Sequence, residues 1–197
     1  MKMEEMTAGI LAGGMSSRMG QNKSFLKMGE TTLLEHLIMV CGDFHEVILS
    51  ANDVVRYAPY GKRIVADELQ QTGPLEGVYQ ILSAAQTDKV LILATDMPGM
   101  TKAFLQNLCE ASGMEDCLIV REEGRLHPLC GIYDRSALDG IAKMREHGER
   151  KMRLLFDRVK TAYYDVPVRK ELENINTPKE YEQWIKGYKA GGAYGSV

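Results

Sequence analysis

The sequence predicts an α/β protein, a Rossmann-like three-layer α/β/α sandwich with a mostly parallel central sheet. Three observations carry that expectation. Short apolar runs without polar alternation recur, Met6 to Ala12 (MTAGILA) and Val90 to Ala94 (VLILA) foremost, as in strands covered on both faces. Segments with helical spacing separate the runs. Helix-start signatures sit where those segments begin, Thr32 with Glu35 and Thr177 with Glu180, each spaced as a capping box.

Taken in order, the first strand ends at Gly13-Gly14, and Thr31 to Cys41 predicts a helix. Glu46 to Ala51 and Arg63 to Ala66 predict the second and third strands. Pro74 to Ala85 predicts a helix with Leu75, Val78, Ile81 and Leu82 on one side. Val90 to Ala94 follows as a strand, then a helix from Thr101 to Ala111, with Gly113 placed to end it. Cys117 to Val120, Leu129 to Tyr133 and Ala162 to Val166 predict strands, while Arg135 to Arg145 and Lys151 to Phe156 predict helices. The last helix runs from Thr177 to Lys186, with Pro178 in its first turn. Alternating strands and helices imply parallel strands with helices on both faces. No long linker interrupts the pattern, so residues 1–187 predict a single domain, and the glycine-rich residues 188–197 predict a mobile tail.

Composition narrows the function classes. The net charge is −3, with both signs dispersed, so a dedicated nucleic-acid surface is not expected. No stretch approaches the roughly 20 apolar residues that span a bilayer. The apolar run near the N-terminus is too short for a signal peptide and carries Glu4 and Glu5 beside it. Cys41, Cys109, Cys117 and Cys130 form no CxxC pair and each lies in an apolar run, which reads as buried free thiols in a reducing compartment. A cytoplasmic protein without a membrane or nucleic-acid partner is the expectation.

The chemistry concentrates after the strands. Leu11 to Lys23 reads LAGGMSSRMGQNK. Gly13 and Gly14 allow the backbone to approach a phosphate and turn its N–H groups toward it. Ser16 and Ser17 add hydroxyls, and Arg18 and Lys23 add two cations, a fitting complement to a triphosphate with its metal. The loop matches neither the P-loop pattern nor GxGxxG. Asp96 follows the most apolar strand, so it falls on the same carboxyl edge, where a carboxylate can hold Mg²⁺ against phosphate oxygens. Asn52 and Asp67 follow the second and third strands and belong to the same rim. A carboxylate there can accept the adjacent N1–H and N2–H₂ donors of guanine together, which makes Asp67 a reader of that base. The glycines of Thr72 to Gly77 (TGPLEG) leave room for a flat ring.

LAGGMSSRMGQNK resembles the signature of nucleotidyltransferases that activate sugar phosphates, isoprenoid precursors and molybdopterin. Five further segments narrow the resemblance to the molybdenum cofactor guanylyltransferases. They are Thr95-Asp96-Met97-Pro98 with the GPLEG turn, His127 to Tyr133 (HPLCGIY), Gly148-Glu149-Arg150, and Asn174 to Pro178 (NINTP). The resemblance runs from about Thr7 to Trp184. It implies transfer of GMP from GTP to the terminal phosphate of molybdopterin, with Mg²⁺ on Asp96 and release of pyrophosphate. It assigns Leu11, Ala12, Gly13, Gly14, Lys23, Asn52, Asp67, Gly73, Pro74, Gly77 and Asp96 to the nucleotide, and catalysis to Arg18, Lys23 and Asp96. His127, Arg150, Asn174 and Asn176 are implied on the acceptor side, and transient contacts with other cofactor-biosynthesis proteins are implied as well. The competing readings are a cytidylyltransferase with the same loop and a non-catalytic nucleotide-binding protein that delivers cofactor. The intact Arg18, Lys23 and Asp96 favour an enzyme.

Overall fold

The computed structural model describes residues 1–13, 22–69 and 73–190. Gly14, Ser16, Ser17, Arg18 and Thr72 lie outside the described residues, as do residues 191–197 of the expected tail.

In chain order the elements are β1 (Thr7–Leu11), β2 (Lys27–Met28), β3 (Thr31–Thr32), α1 (Leu33–Val40), β4 (Glu46–Ser50), α2 (Val54–Tyr57) and β5 (Arg63–Val65). There follow α3 (Pro74–Ala84), β6 (Lys89–Ala94), α4 (Lys102–Ala111), β7 (Cys117–Glu122), β8 (Arg125–Asp134), α5 (Leu138–Glu146), β9 (Thr161–Val166) and α6 (Pro178–Ala190). Among the described residues, seven strands form one sheet in the order β5-β4-β1-β6-β8-β7-β9, and β2 pairs with β3 as a small hairpin. The strands β5, β4, β1 and β6 are parallel, β8 runs antiparallel to both its neighbours, and β9 is parallel to β7.

The layers follow from side chains that alternate across each strand. Ala8, Ile10, Leu49, Leu91 and Leu93 face one core with Leu34 and Leu37 of α1 and Leu105 and Leu108 of α4. Ile48, Val90 and Ile92 face the other with Val78, Ile81 and Leu82 of α3 and Ile141 and Met144 of α5. Gly9 makes the second contact possible: a Cβ there would stand 2.4 Å from the Cγ2 of Ile81. A third cluster joins Leu26, Met28 and Leu33 to Ile175 and the apolar side of α6.

Both capping boxes form. The Glu35 N–H donates to Thr32 Oγ1 at 3.2 Å, and the Thr32 N–H donates to Glu35 at 2.6 Å. The Thr32 N–H, with the Thr32 hydroxyl beside it, holds the Glu35 carboxyl below its ordinary pKa. At α6, the Glu180 N–H donates to Thr177 Oγ1 and the Thr177 N–H donates to Glu180. Thr32→Ala is expected to lower stability by about 1 kcal/mol, the usual worth of an N-cap. Denaturant unfolding at neutral pH checks this, and an unchanged midpoint would contradict it. The four cysteines are buried and free. Burial pushes the Cys109 and Cys130 thiols up to about 12, so no thiolate is available at neutral pH.

Several expected boundaries are corrected. The Arg135 helix begins as a 3-10 turn, Arg135–Ala137, capped by Asp134, and α5 follows it. Lys151 to Phe156 is not a helix. A single 3-10 turn, Met152–Leu154, suffices to bury Met152, Leu155 and Phe156. Gly113 does not end α4 through a left-handed turn. Ser112 is the extended C-cap, and the Glu115 carboxylate accepts from Ser112 Oγ at 3.0 Å and from the Gly113 N–H at 2.8 Å. Helix α6 runs through Gly187 to Ala190, beyond the expected domain limit. The Trp184 and Tyr188 rings stack at 5.0 Å and prolong its apolar side against the hairpin.

Candidate active site

β1 lies between β4 and β6, and the chain crosses from one side of it to the other through α3. The carboxyl end of β1 is therefore a topological switch point, where open α/β sheets bind ligands. A cavity of about 410 Å³ opens there. Leu11, Ala12, Gly13, Lys23, Asn52, Asp67, Gly73, Pro74, Gly77 and Asp96 all line it, so every described residue expected on the nucleotide meets in one place. Asn22, Ser50, Ala51, Ala94, Thr95 and Leu129 complete the wall. The rule that found Asn52, a polar residue at a strand's carboxyl end, also points to Ser50 and Thr95. Leu129 had no such signal. It arrives because β8 is antiparallel and its amino half returns to this edge, with a register shift between Ile119 and Val120 of β7 that lets it bend.

At one end of the cavity stands a cluster of charges. Lys23 Nζ donates to Asn176 Oδ1 at 2.8 Å and lies 3.5 Å from Asp96 Oδ2. Both charged side chains are largely enclosed, at 13% and 24% exposure, so water screens their pairing only in part. Three anchors fix them. Asn22 turns the chain by accepting from the Ser24 N–H, Ser24 Oγ and Tyr57 Oη both donate to the Ala12 carbonyl, and the Ile175 N–H donates to the Asp96 carbonyl at 2.8 Å. The last bond seats the Asn174 to Pro178 segment directly on the Asp96 loop, which sequence spacing could not show.

At the other end, Asn52 and Asp67 bind each other. Asn52 Nδ2 donates to Asp67 Oδ2 at 3.0 Å, and the Asp67 N–H donates to Asn52 Oδ1 at 2.8 Å. Among the described residues, nothing bonds the second oxygen of Asp67. Gly73 precedes α3 at φ 69°, which suits a residue without Cβ. Gly77 serves packing as well as the cavity, since a Cβ there would stand 2.6 Å from both Leu11 Cδ2 and Ser50 Oγ.

Gly13 differs from expectation in one respect. Its N–H does not face the cavity but donates to the Ser50 carbonyl at 2.8 Å, and the Ala12 N–H shares that acceptor at 3.0 Å. The close approach of β1 to the end of β4 accounts for the glycine, because a Cβ would stand 3.2 Å from Ala51 Cα.

The four residues expected on the acceptor side separate. Asn176 belongs to the Lys23 cluster. Asn174 lines an adjoining cavity of about 610 Å³ with Glu122, Arg125, Arg169 and Trp184. Its Oδ1 is buried and has no hydrogen-bond partner among the described residues. His127 is 3% exposed, with Nε2 3.4 Å from a Glu122 oxygen but without hydrogen-bond geometry. Burial pushes this imidazole below its ordinary pKa and Arg125 pushes it the same way, against the pull of Glu122 and Asp96. Arg150 is exposed and lines neither cavity. A larger cavity, about 850 Å³, lies at the amino ends of β7 and β9 and holds none of these groups. Some of its charges are spent internally, Asp116 on the Lys160 N–H and Arg158 on Glu149.

Among the described residues no group of three or more His, Cys, Asp or Glu side chains is placed to hold a metal, so a hard divalent ion here would rest on one carboxylate. Asp96 offers carboxylate oxygens at the cavity wall, and Mg²⁺ takes one or two such groups while phosphate oxygens and water fill its remaining positions.

The family model of the MobA-like NTP transferase domain matches residues 8–162. The chain belongs to this family. A protein of Clostridium perfringens strain 13, described as a probable molybdenum cofactor guanylyltransferase, is 34% identical over 93% of this chain and 98% of its own length. The molybdenum cofactor guanylyltransferase of Vibrio parahaemolyticus is 28% identical over 89% of this chain and 92% of its own. Among solved structures, molybdopterin-guanine dinucleotide biosynthesis protein A from Archaeoglobus fulgidus superposes with a TM-score of 0.80 at 22% identity, covering 93% of this chain and 99% of that one. The fold of the MobA-like family is thus the fold expected from the sequence. Among the described residues, no helix is long and apolar enough to cross a membrane.

Proposed function

We propose that this chain is a cytoplasmic, Mg²⁺-dependent molybdenum cofactor guanylyltransferase that transfers GMP from GTP to the terminal phosphate of molybdopterin. One observation carries the reading. A single cavity holds the Lys23, Asp96 and Asn176 cluster at one end and the Asn52–Asp67 pair at the other. That arrangement separates a phosphate end from a base end, as a nucleotide requires.

Asp67 accepts from guanine N1–H and N2–H₂, and Asn52 holds its carboxylate in place. The turn from Gly73 to Gly77 receives the ring. Asp96 would hold the metal, which when bound would supply positive charge against the phosphates. Lys23 and Arg18 steady the charge that develops on the leaving pyrophosphate. The acceptor's phosphate oxygen forms a bond to the α-phosphorus as the α–β anhydride bond breaks and pyrophosphate departs with the bonding electrons. That phosphate is already ionised at neutral pH, so alignment rather than a strong base is the requirement. On the acceptor side, Asn174 Oδ1 supplies an unpaired acceptor for a pterin N–H, and the buried His127 offers a ring N–H for its phosphate, while Arg150, which lines neither cavity, takes no part. Other cofactor-biosynthesis proteins are the natural transient partners.

Binding of GTP, CTP, UTP and ATP to the purified protein with Mg²⁺ tests the base assignment. GTP is expected to bind preferentially, and Asp67→Ala to weaken it by roughly 10- to 100-fold, the worth of hydrogen bonds to a charged group. Preference for CTP would move the activity to the cytidylyl branch and overturn the guanine assignment.

A further inference from the structure

Glu76 is the anomaly of the described core. It is wholly buried, at 0% exposure, in the first turn of α3, where a solvated acid is the usual choice. Its oxygens are fully occupied. Arg145, in the last turn of α5, clasps it with Nε to Oε2 at 2.7 Å and Nη2 to Oε1 at 2.9 Å. Gln80 Nε2 donates to Oε1 at 2.8 Å, and the Glu68 N–H donates to the same oxygen at 3.2 Å. The guanidinium lies 3.7 Å above the Tyr79 ring, and Arg145 Nη2 also reaches the Glu68 carboxylate at 3.4 Å.

Glu68 directly follows Asp67. The segment after β5 is therefore held twice at adjacent residues, by Asn52 at Asp67 and by Glu76 at Glu68. We infer that Glu76, braced by Arg145, is a positioning residue for base selection, holding the backbone of the Asp67–Glu68 segment so that the Asp67 carboxylate meets the purine edge. The inference rests on the guanine reading of Asp67. It adds that selectivity depends on a strut reaching from α5, which touches no substrate.

A buried ion pair seldom repays its desolvation, and apolar replacement of both partners is commonly tolerated, whereas removal of one strands the other. That difference separates positioning from stability. The double variant Glu76→Leu with Arg145→Met keeps the interior filled but removes the acceptor for the Glu68 N–H. We expect it to unfold near the wild-type temperature, to raise the KM for GTP about tenfold with kcat nearly unchanged, and to lose most of its preference for GTP over ATP. Glu76→Gln retains one oxygen for the Glu68 N–H and is expected to keep that preference even where it melts earlier. Hydrogen exchange in the wild type supplies a reading independent of any variant, with the Glu68 amide expected to be protected. A folded double variant with wild-type KM and base preference overturns the inference, as does an unprotected Glu68 amide. Asp67→Ala, run beside it, tells the two ideas apart. If Asp67→Ala abolishes GTP preference and the double variant does not, only the strut fails. If the wild type shows no GTP preference, the guanine reading fails and the strut with it.

Discussion

Asp96→Ala is expected to remain folded and to lose about 10²- to 10³-fold or more in turnover, the usual cost of removing a group that stabilises transition-state charge. The side chain is a quarter exposed and its main protein contact is Lys23 at 3.5 Å. Lys23 keeps Asn176 Oδ1 as an acceptor at 2.8 Å when the carboxylate is removed, so thermal unfolding should shift little. The loop itself is held by the bond from the Ile175 N–H to the Asp96 carbonyl, which the substitution leaves intact. Pyrophosphate release with GTP, Mg²⁺ and molybdopterin measures the effect. Asp96→Asn should be nearly as impaired, because it keeps the shape and loses the charge. Normal turnover by a well-folded Asp96→Ala protein would remove this residue from the metal site.

Lys23→Ala is expected to cost a similar 10²- to 10³-fold, with most of the loss in kcat, since the charge it meets grows as pyrophosphate departs. The lysine is aimed by two acceptors, Asn176 Oδ1 at 2.8 Å and Asp96 Oδ2 at 3.5 Å. Lys23→Arg should rescue little, because a planar fork cannot occupy the place of a compact ammonium between those two oxygens. Single-turnover measurements would separate chemistry from binding. A Lys23→Ala enzyme with full kcat and a raised KM alone would reassign the residue to ground-state binding.

The parallel half of the sheet was legible because its strands are largely apolar, and β4, β5 and β6 are each followed at the second position by the polar residue that reaches the site. Asn52, Asp67 and Asp96 share one rim for that single reason, and the same logic placed Lys23 with them. The rest depended on long-range geometry. β8 is antiparallel, which reverses the edge rule, so Leu129 reaches the rim from the first half of a strand rather than its end. The two-residue strands β2 and β3 are too short to leave a periodic trace. The Gly13 N–H is claimed by Ser50, a partner that the glycine motif itself does not name. Glu76 and Arg145 are 69 positions apart, and both read as ordinary helix-surface charges until α3 and α5 are seen in contact.

The Asn174 to Pro178 segment also sets an order of events. Lys23 and its asparagine partner are separated by 153 positions, and a contact of such span forms late because so much chain must be closed first. During synthesis the whole seven-stranded sheet has been made before Asn176 leaves the ribosome. The phosphate end is therefore finished by a segment made only after the sheet. A nascent chain can gather its base-reading rim early, but its lysine stays unaimed until that later segment emerges.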